Sequence, residues 1–198
     1  MNIVPETLRA IIHVYGSSIK LPETREQWLA ISDRFTNRWN FHHCIGAIDG
    51  KHVAIKQPPN SGSLYFNYKK FFSIILLGVA DGDYHLIYID VGAEGMTGDA
   101  GLFRDSDLAQ ALEQRTANIP DPEPFPGDTI PMPYFLMGDG AFALRSTMMT
   151  PYPAQRMQGS MPRDQRIYNY RHSRARRIVE CTFGILSNRY NNKMQIFI

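Results

Sequence analysis

The spacing of apolar residues changes period along this chain. In "PETLRAIIHVY" the residues Leu8, Ile11, Ile12 and Tyr15 fall on one helical face. In "PETREQWLAISDRF" the residues Trp28, Leu29, Ile31 and Phe35 form a looser stripe, so the first forty residues read as helices with Pro5 and Pro22 suited to first turns. From Ile45 the period shortens. "IGAIDGKHVAI", "FFSIILLGVA" and "YHLIYIDVG" read as strands separated by turn signals, among them "PPNSGS" and a "DGD" hairpin link. "DAGLFRDSDLAQALEQ" reads as one helix through Leu102, Leu108 and Leu112, and "DPEPFPGDTIPMP" as a proline-rich loop with no regular structure. "YFLMGDG" reads as a short buried strand. Residues 172–190 carry Ala175, Ile178, Val179, Thr182, Phe183, Leu186 and Tyr190 at helical spacing, with Ser173 as the expected N-cap. An antiparallel meander, a helix, a fourth strand and a last helix predict a mixed α/β layer architecture.

One residue breaks this pattern. Asp49 sits near the middle of an apolar, strand-like run, where an unpaired buried charge costs several kcal/mol. Two further carboxylates occupy unusual places: Asp139, ending a strand in "FLMGDGAF", and Glu180, just past the Ile178/Val179 pair on the last helix. If that helix crosses the strands holding Asp49 and Asp139, three like charges converge, and a divalent cation between them would resolve the conflict. Oxygen-only ligation suits Mg²⁺ or Mn²⁺ rather than zinc.

Composition narrows the setting. With 198 residues, 43% of them hydrophobic, the chain is large enough for one full core, read as a helical segment over 1–40 followed by a domain over 41–198. No apolar run approaches the roughly 20 residues that span a bilayer, and no secretory leader pattern opens the sequence, so a soluble intracellular protein is expected. Two cysteines, Cys44 and Cys181, lie among apolar neighbours and are expected to be reduced and buried. The net charge of +2 hides a polarised layout: residues 81–128 hold eleven acidic side chains against Arg104 and Arg115, whereas the segment "PRDQRIYNYRHSRARR" is strongly basic. That basic end suits a polyanion such as DNA.

The blocks "IGAIDGKHVAIKQP", "YFNYKKFFSIILLGVADGDYHLIYIDVGAEGMTGDAGLFRDSDL", "FLMGDGAFALRSTMMTPY" and "RRIVECTFGILSNRY", in this order, resemble the endonuclease domain of PIF/Harbinger transposases and the domesticated nucleases derived from them. The resemblance runs over about Phe41 to Tyr190. It implies an RNase H-like fold and a metal-dependent DNA endonuclease with Asp49, Asp139 and Glu180 as the catalytic, metal-holding triad. Two metal ions would activate a water to attack the phosphodiester, or a DNA 3′-hydroxyl in strand transfer. It also implies residence in the nucleus, with the cytoplasm as a second location, and a separate Myb-like DNA-binding partner that supplies sequence recognition. Asp99 matches a further family Asp, with a supporting role to the ligands or a helix N-cap as its two readings. Lys51 stands where a small hydroxyl residue is common; two residues along the strand from Asp49, it shares its face and would pair with it.

Other residues carry two readings each. Arg171, Arg174, Arg176 and Arg177 are either a solvated face or a phosphate clamp, and four arginines opening a helix would oppose its dipole, which favours the clamp. Lys69 and Lys70, set among Tyr65, Phe66, Tyr68, Phe71 and Phe72, suit either DNA contact or a strand entrance with core aromatics. His42, His43 and Cys44 lack a second ligand pair at zinc spacing, and His52 lies on the strand face opposite Asp49. The alternative to a nuclease is a catalytically silent scaffold that binds DNA or protein on the same fold.

Overall fold

The computed structural model describes residues 3–153 and 161–190. Helix α1 (Ile3–Tyr15) and α2 (Arg25–Trp39) lead into strands β1 (Cys44–Ala54), β2 (Ser73–Ala80) and β3 (Leu86–Glu94). Short helices α3 (Asp99–Arg104) and α4 (Asp107–Glu113), a small ladder of β4 (Glu123–Pro124) and β5 (Pro131–Met132), strands β6 (Phe135–Met137) and β7 (Met148–Met149), and the long helix α5 (Arg163–Tyr190) follow. The main sheet has the order β3-β2-β1-β6-β7; β1 to β3 form the antiparallel meander and β6 and β7 add in parallel. This mixed five-stranded sheet flanked by helices is the RNase H-like arrangement that the sequence implies.

Both faces of the sheet are covered, which explains why β1 opens with five buried residues rather than an alternation. On one face Ile45, Ile48, Leu77 and Val79 pack with Leu108 and Leu112 of α4 and with Trp28. On the other, Ala47 and Ala80 pack with Ala175, Ile178, Val179 and Phe183 of α5 and with Phe35. Helix α2 joins both layers. It starts at a capping box, in which the Thr24 side chain accepts from the Gln27 N–H and the Gln27 side chain accepts from the Thr24 N–H, and it ends at Asn40 in the left-handed region. The "DGD" link closes the β2–β3 hairpin as expected, with Asp81 Oδ1 accepting from the N–H groups of Asp83 and His85 at 2.8 and 2.9 Å.

Several elements differ from the sequence reading. The helix expected over 99–114 is two, because Ser106 breaks it and caps α4, accepting from the Ala109 N–H at 3.2 Å. Helix α5 begins at Arg163, ten residues before Ser173, so Ser173 is interior and the arginines lie mid-helix, where the dipole argument for a clamp does not apply. The proline-rich loop holds the β4–β5 ladder. Cys44 is buried as expected, but Cys181 is exposed, since it lies beside Glu180 on the outer side of α5. The apolar stripe of α1 buries nothing: Leu8, Ile11, Ile12 and Tyr15 are all exposed.

Candidate active site

Strand parity decides where each carboxylate goes. Asp49 pairs across the ladder with Gly78, and Gly78 faces α5, because a Cβ built there would stand 3.0 Å from the Phe183 ring. Asp49 therefore emerges on the α5 side of the sheet, and from α5 comes its counter-charge. Arg176 Nη1 lies 3.9 Å from Asp49 Oδ2, and the same guanidinium is hydrogen-bonded to Glu180 one turn along the helix. Burial lifts the Asp49 carboxyl to about 6; Arg176 opposes the rise, while the negative charges of Asp99 and Asp139 add to it. Arg176 is about 21% exposed, against 46% for Glu180, so the arginine is the more deeply set member of that pair.

Asp139 follows β6 directly. Its chain turns at Gly138, where any Cβ would fall 2.6 Å from the Phe142 ring, and its Oδ1 accepts from the Ala141 N–H at 2.8 Å. Asp99 arrives from the opposite side of the sheet to Asp49. A Cβ on Gly50 would lie only 2.0 Å from Asp99 Oδ1, so this carboxylate rests directly on the β1 backbone beside Asp49. Its pKa is raised by burial first, lowered by His52, raised by Asp139 and lowered by Lys69. Asp99 and Asp139 border one cavity of about 510 Å³ together with His52 and Tyr68. Three aspartates thus gather around the middle of β1, Asp49 and Asp99 from its two faces and Asp139 from the end of β6.

The other sequence-predicted residues separate into those near this cluster and those away from it. Lys51 does not pair with Asp49; among the described residues that place is taken by Arg176, which reaches in from α5. Arg171, Arg174 and Arg177 are exposed on α5, with Arg174 5.6 Å from the Tyr170 ring centroid. Lys69 and Lys70 are exposed on the loop between β1 and β2. His52 lies opposite Asp49, as parity predicts, its Nδ1 2.9 Å from Ser73 Oγ. His43 serves packing: it stacks on Tyr134 at 4.3 Å and its Nδ1 is 3.1 Å from the Met132 carbonyl oxygen. The double role of Arg176 is what sequence reasoning missed, although its four-residue spacing to Glu180 was a visible signal.

The donor set suits a hard cation. All four carboxylates offer oxygen, and the aspartate cluster holds more negative charge than Arg176 offsets. As placed, however, no three His, Cys, Asp or Glu side chains among the described residues are arranged to hold a metal ion, and Glu180 is paired with Arg176.

Residues 48–194 match the family described as "DDE superfamily endonuclease", a span that includes Asp49, Asp99, Asp139 and Glu180. The chain belongs to this family. Among curated relatives it is similar to proteins named "Putative nuclease HARBI1": 26% identical over 187 residues to that of Homo sapiens, 26% to that of Bos taurus and 24% to that of Xenopus laevis. Each alignment covers 94% of this chain and 48% of the relative, so the chain spans about half the length of the curated relatives it matches. No solved structure matches it.

Proposed function

We propose that this chain is the core of a transposase-derived, divalent-cation-dependent DNA endonuclease. The observation that carries the reading is Asp49: a carboxylate on a strand of the central sheet, largely buried, with Asp99 and Asp139 raising its cost and one arginine as its counter-charge. A fold does not keep such a conflict for stability, and sites that handle charge are where it is found. Asp49 and Asp139 would hold the cation, Asp99 would add a third oxygen donor from the far side of β1, and Glu180 would join on leaving Arg176. Mg²⁺ or Mn²⁺, when bound, supplies an activated water and stabilises the leaving oxygen. The protein's own part is to fix these oxygens and to hold the phosphate backbone through Lys69, Lys70, Arg171, Arg174 and Arg177. Arg176, released from Asp49 as a cation takes over, would be free to meet the scissile phosphate. A Myb-like DNA-binding partner and residence in the nucleus complete this reading.

One observation favours a second reading. Arg176 already serves Asp49 and Glu180 together, as an internal cation would in a catalytically silent DNA-binding scaffold. Nicking of supercoiled plasmid separates the two. In Mg²⁺ and Mn²⁺ the parent should nick, and Asp49→Asn, Asp139→Asn and Glu180→Gln proteins that still melt cooperatively and no lower than the parent should lose at least about 100-fold, the scale of a lost metal ligand or its close support. A folded parent that binds DNA and never nicks it would select the scaffold.

A further inference from the structure

Beside the carboxylates lies a cleft built from the loop between β1 and β2. Its walls are His52, Phe66, Asn67 and Tyr68 on one side and Asp99 and Asp139 on the other, and its volume of about 510 Å³ falls within the roughly 300–1,000 Å³ of small-molecule sites. The aromatic wall is held rather than loose. Asn67, 3% exposed, donates from Nδ2 to Ser73 Oγ at 2.8 Å, and its Oδ1 accepts from the N–H groups of Lys69 and Phe71 at 2.9 and 3.3 Å. Ser73 Oγ in turn meets His52, whose ring stands edge-on to Tyr68 at 5.5 Å. Phe66 is braced against Phe72 at 5.2 Å. Gly95, which also lines the cleft, admits no side chain, since a Cβ there would lie 2.4 to 2.6 Å from Ser73 and Tyr65 atoms. All this order presents a tyrosine that packs on little: Tyr68 is 79% exposed, with Lys69 Nζ 5.4 Å from its ring centroid.

We infer that this cleft takes one unpaired DNA base next to the phosphate held at the carboxylates, stacked on Tyr68, with its own phosphate against Lys69. Resting on the endonuclease reading above, this assigns the substrate form: a strand unpaired at the site of cutting. The charges choose the base as occupant. Asp99 and Asp139 on the far wall repel a phosphate, whereas a neutral base accepts an acidic wall and offers amino groups to it. A base paired within a duplex has both faces covered by its neighbours, so only an extruded or single-stranded base can use the exposed ring.

Anisotropy titrations in Ca²⁺, using a labelled single-stranded oligonucleotide and a blunt hairpin duplex, test this directly. Stacking on one aromatic ring is worth about 5- to 150-fold in affinity. Tyr68→Ala should therefore weaken single-strand binding within that range, while Tyr68→Phe stays within about twofold of the parent and both leave duplex binding unchanged. A 2-aminopurine placed at the bound position should be quenched by the parent and by Tyr68→Phe, not by Tyr68→Ala. Lys69→Gln should weaken both DNA forms and lower the salt slope by about one. Equal loss on both forms by Tyr68→Ala, or single-strand affinity within twofold of the parent, overturns the cleft and leaves the endonuclease reading standing. A parent that binds neither form overturns both.

Discussion

Asp49 and His172 pull the stability of this protein in opposite directions as pH changes. Asp49 titrates near 6 when folded against an ordinary 3.8, so between about 4 and 6 the native state binds the proton more tightly. Its contribution is favourable at the acid end and is lost as pH rises through 6, a cost on the order of 2–3 kcal/mol at neutral pH. His172, buried on α5 and edge-on to Phe41, is pushed down to about 4 chiefly by burial. Its contribution runs the other way, present above 6.5 and lost as pH falls toward 4. Asp49→Asn should therefore raise the melting temperature at pH 8 and leave a profile that climbs from pH 4 to 6.5 under His172 alone. Mg²⁺ or Mn²⁺ at pH 8 should raise the melting temperature of the parent and not of the variant. Thermal melts at pH 5 and pH 8 read both effects; an unchanged melt for Asp49→Asn at pH 8 would show that Arg176 balances Asp49 fully.

At the scale of elements, β1 places its functional groups by leaving space. Gly50 is free of a side chain where Asp99 rests, so Gly50→Ala should displace that carboxylate rather than the strand, since the clash is with a side-chain end and not with backbone. Mn²⁺ affinity measured by calorimetry should fall about 10-fold or more with the melting temperature nearly unchanged; retained affinity would remove Asp99 from the cation site. This dependence was only half legible. The strand, its face and the Asp49 oddity follow from apolar spacing, but which residue fills the space over Gly50 is set by a turn fifty residues on. Helix α5 shows the same limit. Its apolar stripe betrays residues 175–186, while the preceding "RDQRIYNYR" buries so little that periodicity gives no sign of helix there. In the segment after β3 the spacing of leucines hid a break, because the Ser106 cap sits between two turns that happen to share a face.

Across the whole molecule, the layer order, the strand-borne Asp49 and the Asp139 that follows β6 were readable because they follow from hydrophobic pattern and motif. The pairing of Glu180 with Arg176 was not, since it depends on two side-chain rotamers on one helix surface. The exposed α1 was not readable either: an amphipathic stripe announces a helix that can pack, not one that does. Among the described residues none of α1 is buried, so a chain starting at Leu21 should unfold in urea within about 1 kcal/mol of the parent. A larger loss would mean that α1 docks on the domain in solution.

The carboxylates stand at positions 49, 99, 139 and 180, and the last comes near the three aspartates, through Arg176, only when α5 settles across the sheet. Contacts that close such long loops form late, after the hairpins of the meander. During synthesis the ribosome releases the first aspartate long before the helix that faces it, so a growing or interrupted chain carries no assembled site. The order of synthesis thus sets the order in which these side chains can meet, with Glu180 the last of the four to be made.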